Sequence, residues 1–186
     1  MDKRTERLFL LCRAAAARTR LVITGHDHAD ADAALSCVLM QELLARVGIP
    51  AQIVLTAPDD QAKRVLARFG EDAEALLGEI TGTDALVLCD HHRPEHAGRV
   101  VACVDHHPTD FPPDYPYVQI ESAGACAVMV LRLLEEAGFA PGARCTAICG
   151  IPVSRDSGLC PRPLPKCFAA WCSPVRAARC GQFPMI

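Results

Sequence analysis

Two short apolar runs constrain the fold of this 186-residue chain more than any other feature. Residues 84–89 and 100–104 are dominated by Val, Leu, Ala and Cys, and apolar and polar side chains do not alternate along them. Strands without alternation are buried on both faces, which is typical of parallel sheets. Each run is followed by the same three residues, Asp-His-His, at 90–92 and at 105–107. We therefore predict a buried parallel sheet with ionisable side chains at the ends of two strands.

Apolar periodicity predicts an alternation of strands and helices over residues 3–137. The predicted strands are 20–24, 51–55, 84–89, 100–104 and 117–120. The predicted helices are 3–17, 32–47, 59–69 and 125–137, with a further short one around 73–77. This order is typical of an α/β fold with a mainly parallel sheet and helices on both faces. Ligands of such sheets bind at the carboxyl ends of the strands.

The first predicted strand runs into a segment, residues 26–32, that holds three carboxylates and two imidazoles. One interpretation is structural: Asp30 or Asp32 caps the following helix, and the other side chains are solvated. A cap requires only one carboxylate, so this interpretation leaves His26 and at least one carboxylate without a role. The alternative is a metal site, because carboxylates and imidazoles on one tight turn suit Mn²⁺, Mg²⁺, iron or Zn²⁺.

Four carboxylates are predicted to converge at one edge of the sheet: Asp30, Asp32, Asp90 and Asp105. Without a cation, their repulsion in a partly buried cleft would raise at least one carboxyl pKa and cost stability. Two divalent ions would remove this conflict. We therefore predict a binuclear centre, in which one carboxylate bridges ions about 3.5–4 Å apart and an ion-bound water attacks phosphorus. Surface histidine pairs of no function are the alternative.

The pattern His26-x3-Asp30-x-Asp32 is followed by an aspartate that ends one strand and by Asp-His-His at the end of the next. These three segments resemble the first three motifs of the DHH phosphoesterase superfamily. Within it, the fifteen-residue spacing from Asp90 to Asp105 and the later run Gly-Ala-Cys-Ala are most similar to manganese-dependent family II inorganic pyrophosphatases. The resemblance covers about residues 20–138, and it implies the α/β fold of the superfamily's N-terminal domain.

The resemblance also implies a ligand set for two divalent ions, with Mn²⁺ expected and Mg²⁺ as the alternative. His26 and Asp30 would bind one ion. Asp32 and His106 would bind the other, and Asp90 would bridge the two.

Two further residues receive catalytic roles from the resemblance. Asp105 would orient the nucleophilic water or accept its proton, and His107 would contact the substrate phosphate or the leaving group. Superfamily members carry a fourth motif, whose aspartate also binds metal. The one acid in the corresponding region here is Asp156, which is therefore a candidate ligand.

The chain is predicted to divide into a DHH-type metal-binding catalytic domain, residues 1–142, and an irregular tail, residues 143–186. The tail is rich in Cys, Pro and Arg and has no clear apolar period. It is either a loosely packed segment or not the natural continuation of the domain, as after a shift of reading frame. Family enzymes have a second, C-terminal domain with basic residues for the substrate, so we expect an isolated catalytic domain or a truncated copy.

Charge and hydropathy restrict the partners. With 19 basic and 22 acidic residues, the chain has no general attraction for nucleic-acid phosphates. No run resembles a secretory signal or a membrane span, so a cytoplasmic protein without a membrane partner is expected. The eleven cysteines include no C-x-x-C pair, which favours buried thiols over a zinc module. Uncovered apolar faces would allow a homodimer.

The resulting functional hypothesis is a metal-dependent phosphoesterase whose small phosphorylated substrate is pyrophosphate. One alternative is an oligoribonuclease or nucleoside-bisphosphate phosphatase of the same superfamily, which would bind short single strands. The other is a truncated, catalytically inactive fragment that binds metal or nucleotide.

Overall fold

The computed structural model describes residues 2–93 and 95–139. Its helices are α1 (Lys3–Ala16), α2 (Ala31–Arg46), α3 (Asp60–Arg68) and α4 (Cys126–Glu136), with a 3-10 turn at Glu74–Leu76. Its strands are β1 (Leu21–Thr24), β2 (Gln52–Ile53), β3 (Ala85–Cys89), β4 (Arg99–Asp105) and β5 (Val118–Ile120). Every predicted element is present, although β2 is shorter than predicted. Asp156 and the predicted tail, 143–186, lie outside the described residues.

The five strands form one parallel sheet in the order β2-β1-β3-β4-β5. Strands β1, β3 and β4 are therefore adjacent, although β2, two α-helices and the 3-10 turn separate β1 from β3 in the chain. Because the strands are parallel, their carboxyl ends lie at the same edge. The three polar segments predicted to converge follow these three strands.

The two faces of the sheet are packed differently. All four helices contribute to a large apolar cluster on one face, with strand residues such as Ile23 and Val87. The opposite face holds a smaller cluster around Leu86 and Leu88, against which the loop residues Ile80 and Tyr115 pack. The prediction of a parallel α/β sheet is therefore confirmed. Helices were predicted on both faces, whereas the four helices of the described residues pack on one face and loop residues pack on the other.

Two further features concern residues 2–93 and 95–139. None of the helices there has both the length and the apolar character that a membrane crossing requires. The cysteines of this part are buried free thiols: Cys12, Cys37, Cys89, Cys103 and Cys126.

Gly25 joins β1 to the segment that leads into α2, and the structure leaves no room for a side chain there. A Cβ atom on Gly25 would lie 2.8 Å from the Cβ atom of Ala33, in the first turn of α2. Neither atom is the end of a flexible side chain, so the helix would have to move away from the strand. The start of α2 is thus held close to the end of β1 by the absence of one methyl group.

We expect Gly25→Ala to lower the free energy of unfolding by about 1–3 kcal/mol, as overpacking does in other close contacts. The measurement is urea unfolding of the metal-free chain, followed by circular dichroism. Gly82→Ala is the matched control, because nothing lies within 4 Å of the Cβ position at Gly82. Equal loss of stability in both variants would contradict the steric explanation.

Candidate metal centre

Asp90 lies at the centre of the converging segments, directly after β3. Its side chain is 2% exposed. The Oδ1 atom of Asp90 is 3.2 Å from Nε2 of His106, and its Oδ2 atom is 3.8 Å from Nε2 of His26. The two oxygens of this one carboxylate therefore face imidazoles from two different segments.

The backbone and side chain of Asp90 are both held in unfavourable states. Its φ angle is 67°, in the left-handed region that residues other than glycine rarely adopt. Its N–H donates to the carbonyl of Val104, which ties this conformation to β4. Its buried Oδ1 atom has no hydrogen-bond partner among the described residues. Strain and an unpaired buried oxygen at one residue favour a functional role over a structural one.

Burial and neighbouring charges raise the pKa of the Asp90 carboxyl to about 9. Burial is the largest cause, and the carboxylates of Asp32, Asp30 and Asp105 add to it in that order. The predicted repulsion among these four carboxylates is therefore confirmed. A cation bound between them would reverse the effect, because it would favour the ionised form.

Both imidazoles that face Asp90 turn the same nitrogen toward it. His26 Nδ1 donates to its neighbour's carbonyl, that of Asp27, at 2.8 Å. His106 Nδ1 donates to the carbonyl of Ala123 at 3.0 Å. In a neutral imidazole, this leaves a lone pair on Nε2. Carboxylate oxygens and imidazole lone pairs therefore face one another, which is the donor set that binds divalent ions.

Asp30 is the N-cap of α2, as the structural interpretation of this segment proposed. Its Oδ1 atom accepts hydrogen bonds from the N–H groups of Asp32 and Ala33, at 2.9 and 3.0 Å. The same atom is 3.9 Å from Nε2 of His26. Capping and proximity to the centre thus coexist in one carboxylate.

Asp32 connects the centre to α4. Its Oδ2 atom accepts the N–H of Cys126 at 2.7 Å, and its Oδ1 atom accepts the N–H of Ala127 at 3.0 Å. The N-cap residue of α4 itself, Ala125, makes no side-chain hydrogen bond to the helix. Burial raises the pKa of Asp32, and the two N–H groups oppose this rise. The Oδ2 atom of Asp32 is also 3.6 Å from Nε2 of His106.

Among residues 2–93 and 95–139, two groups of side chains have ligand atoms that all lie within 4.8 Å of one another, close enough to bind one ion. One consists of His26, Asp30 and Asp90, and the other of Asp90, His106 and His107. Asp90 belongs to both groups, as expected for a bridging carboxylate. The second group contains His107, whereas the resemblance assigned that position to Asp32.

Asp105 is fully buried at the end of β4, and both its oxygens accept hydrogen bonds from imidazoles. His92 Nδ1 donates to Oδ2 at 2.5 Å, and His107 donates to Oδ1 from Nδ1 at 2.8 Å and from its backbone N–H at 3.1 Å. Burial raises the pKa of Asp105, but these hydrogen bonds outweigh burial and hold it below its ordinary value.

His92 was not among the residues selected from the sequence. The signal was the repeated Asp-His-His, but only a three-dimensional structure shows that its first copy reaches the aspartate of the second. The other histidines behave differently. His28 is exposed, and His91 donates from Nδ1 to the carbonyl of Cys89. Neither belongs to a candidate ligand group of the described residues.

Comparison with known proteins identifies one family. The family described as "DHH family, N-terminal domain" matches residues 20–149. A probable manganese-dependent inorganic pyrophosphatase from Deinococcus radiodurans is 32% identical over 130 residues, which cover 64% of this chain and 41% of that protein. A protein of the same name from Streptococcus mutans is 29% identical over 133 residues, which cover 66% and 43%. The chain therefore spans less than half the length of these relatives.

Among solved structures, the crystal structure of an exopolyphosphatase-related protein from Bacteroides fragilis aligns with a TM-score of 0.49. The two sequences are 19% identical, and the alignment covers 72% of this chain and 44% of the other.

Proposed function

Because the chain belongs to the DHH family, we propose that it is the catalytic part of a metal-dependent phosphoesterase that hydrolyses phosphoanhydride or phosphoester bonds. One observation carries this proposal: the buried, strained Asp90, whose carboxylate lies between His26 and His106 and has an oxygen without a hydrogen-bond partner among the described residues. A structural carboxylate in this buried position would have a hydrogen-bond partner for each oxygen. The names of the two curated relatives support the same reaction class.

We propose two divalent ions, with Mn²⁺ as the resident metal. His26 and Asp30 would hold one ion, Asp32 and His106 the other, and Asp90 would bridge them. His107 and, outside the described residues, Asp156 are further candidate ligands. When bound, the ions would supply a water that is deprotonated near neutral pH and positive charge for the phosphoryl oxygens.

Two further side chains, those of His107 and Asp105, orient the substrate. The side chain of His107 is 52% exposed, so it can reach a phosphate in solution, and Asp105 holds its Nδ1–H. Its Nε2 atom is then the one available to the substrate. For Asp105, these contacts support an orienting role, and its acceptance of a proton from water stays a prediction.

We propose pyrophosphate as the substrate, with short oligoribonucleotides and nucleoside bisphosphates as the alternative. The names of both curated relatives support this order. We place the catalytic domain within residues 1–142.

Phosphate release from pyrophosphate by the 186-residue chain with Mn²⁺ tests the proposal, run beside a dinucleotide substrate. His106→Gln is expected to lower turnover by about 100-fold or more, because it removes a donor to one ion. His28→Asn is the matched control: His28 is exposed, and asparagine tolerates its φ of 57°.

The alternatives give different results in the same experiment. Turnover of the dinucleotide but not of pyrophosphate would reverse the order of substrates. Binding of Mn²⁺ by equilibrium dialysis, with neither substrate hydrolysed, would favour an inactive metal-binding fragment.

A further inference from the structure

We propose that His92 is a positioning residue that fixes the Asp105–His107 pair for work on the substrate. This inference rests on the proposed function, because it gives His107 a phosphate to contact. It concerns a histidine of the first Asp-His-His that belongs to neither candidate ligand group of the described residues and is hydrogen-bonded to the aspartate of the second.

The contacts of Asp105 carry the argument. Its Oδ1 atom accepts two hydrogen bonds from His107, from the ring and from the backbone, and within the described part of the chain its Oδ2 atom accepts one from His92 alone. A carboxylate rotates about its last torsion unless both oxygens are bound. His92 therefore prevents the rotation that would release the ring of His107.

The orientation of His107 depends on this hold. Its Nδ1–H is committed to Asp105, so the neutral ring presents a lone pair on Nε2 and its protonated form presents an Nε2–H. Half of the side chain is exposed, and in the described residues its ion-pair and ring contacts are with its neighbour His106 and the carboxylates of Asp105 and Asp90. Without Asp105 in a fixed position, the ring would sample other rotamers and the other tautomer.

The backbone explains why His92 faces Asp105. The left-handed φ of Asp90 turns the chain sharply after β3. His91 then points inward, 7% exposed and bonded to the carbonyl of Cys89, and His92 points toward β4. The hydroxyl of Tyr115 donates to the carbonyl of His92 at 3.1 Å, which anchors this turn. The histidines of the two Asp-His-His copies thus point to different partners, because the first copy begins with a residue in the left-handed region.

Two variants separate the effect of the His92 hydrogen bond from the effect of its side-chain volume. His92→Leu keeps the volume and removes the donor. His92→Asn restores a donor, because its Nδ2–H lies close to the position of the imidazole Nδ1–H. With saturating Mn²⁺ and pyrophosphate, we expect His92→Leu to lower kcat by about 10-fold to 100-fold, and His92→Asn to recover most of this loss.

The values of KM and of the Kd for Mn²⁺ distinguish a positioning role of His92 from a role as a metal ligand. KM and the Kd for Mn²⁺ are expected to change by less than about threefold in both variants, since His92 is hydrogen-bonded to no member of the ligand groups found among the described residues. A loss of Mn²⁺ affinity as large as the loss of kcat would make His92 a ligand or a purely structural residue and would overturn the proposal. So would an unchanged kcat in His92→Leu.

A second measurement needs no activity. In the metal-free chain, the ring ¹⁵N shifts of His107, assigned by their loss in His107→Gln, should show a single Nδ1–H tautomer. In His92→Leu they should move toward an average of both tautomers, and in His92→Asn they should return.

If the wild type hydrolyses nothing, the proposed function fails. The ¹⁵N shifts still decide the positioning role, because shifts that do not move in His92→Leu overturn it.

Discussion

Asp90→Asn is expected to abolish turnover and Mn²⁺ binding and, at the same time, to stabilise the metal-free protein. Both ligand groups share Asp90, so its loss removes the common donor of both ions. We expect turnover of pyrophosphate to fall by about 1000-fold or more. Colorimetric phosphate release and equilibrium dialysis with Mn²⁺ measure the two losses.

The stability gain has a separate cause. In the metal-free protein, Asp90 is buried, has an oxygen with no hydrogen-bond partner in the described part of the chain, and faces three other carboxylates. Asparagine removes the ionisable group, keeps the shape and tolerates the left-handed φ. We expect the free energy of unfolding in EDTA to rise by roughly 1–3 kcal/mol.

The pH dependence identifies the group responsible. The folded-state pKa of Asp90, about 9, lies above the unfolded value of about 3.9. Between these values the unfolded chain ionises the carboxyl and the folded chain does not. Metal-free wild type should therefore lose stability through Asp90 as the pH rises from about 4 to about 9. Asp90→Asn should lack this contribution, as measured by urea unfolding at several pH values.

Asp84→Asn is the matched control, since Asp84 is equally buried, at 3% exposed. Hydrogen bonds from Arg20 lower the pKa of Asp84 to about 2, although burial opposes them. Ionised Asp84 therefore stabilises the fold above its unfolded pKa, and this contribution is lost as the pH falls toward 2. Asp84→Asn should destabilise the protein at neutral pH. The same sign of change in both variants would contradict this account of Asp90.

Asp32→Ala is expected to have the opposite effect on the metal-free protein. Both oxygens of Asp32 accept backbone N–H groups of the first turn of α4, from Cys126 and Ala127. Alanine leaves these donors without their partner and removes the cap of a helix that packs against α2. We expect a loss of about 2–4 kcal/mol in the free energy of unfolding.

Urea unfolding in EDTA measures this loss free of any effect of metal. Asp32→Asn should lie between the wild type and Asp32→Ala, because it keeps one acceptor oxygen. Wild-type stability of Asp32→Ala in EDTA would show that the α4 contact contributes nothing. Substitutions of Asp32 and Asp90 are thus expected to change stability in opposite directions, since among the described residues Asp32 accepts backbone N–H groups and Asp90 does not.

Much of the fold followed from local pattern. Apolar runs without alternation predicted β3 and β4, and helical spacing predicted α2 and α4 with ends close to those observed. Such patterns depend on which faces of a segment are buried, and a short window of sequence records this. The length of β2 did not follow, because only two residues of the predicted strand 51–55 pair with β1.

The sequence by itself determined the chemistry of the centre: which donor types follow β1, β3 and β4, and that parallel strands bring them to one edge. Only the tertiary structure decided which donor meets which. It pairs His92 with Asp105, bonds Asp32 to the first turn of α4, and leaves one oxygen of Asp90, between His26 and His106, without a hydrogen-bond partner among the described residues. These contacts depend on a left-handed turn and on the docking of distant segments, and distances of a few ångströms between such segments are not recorded in local periodicity.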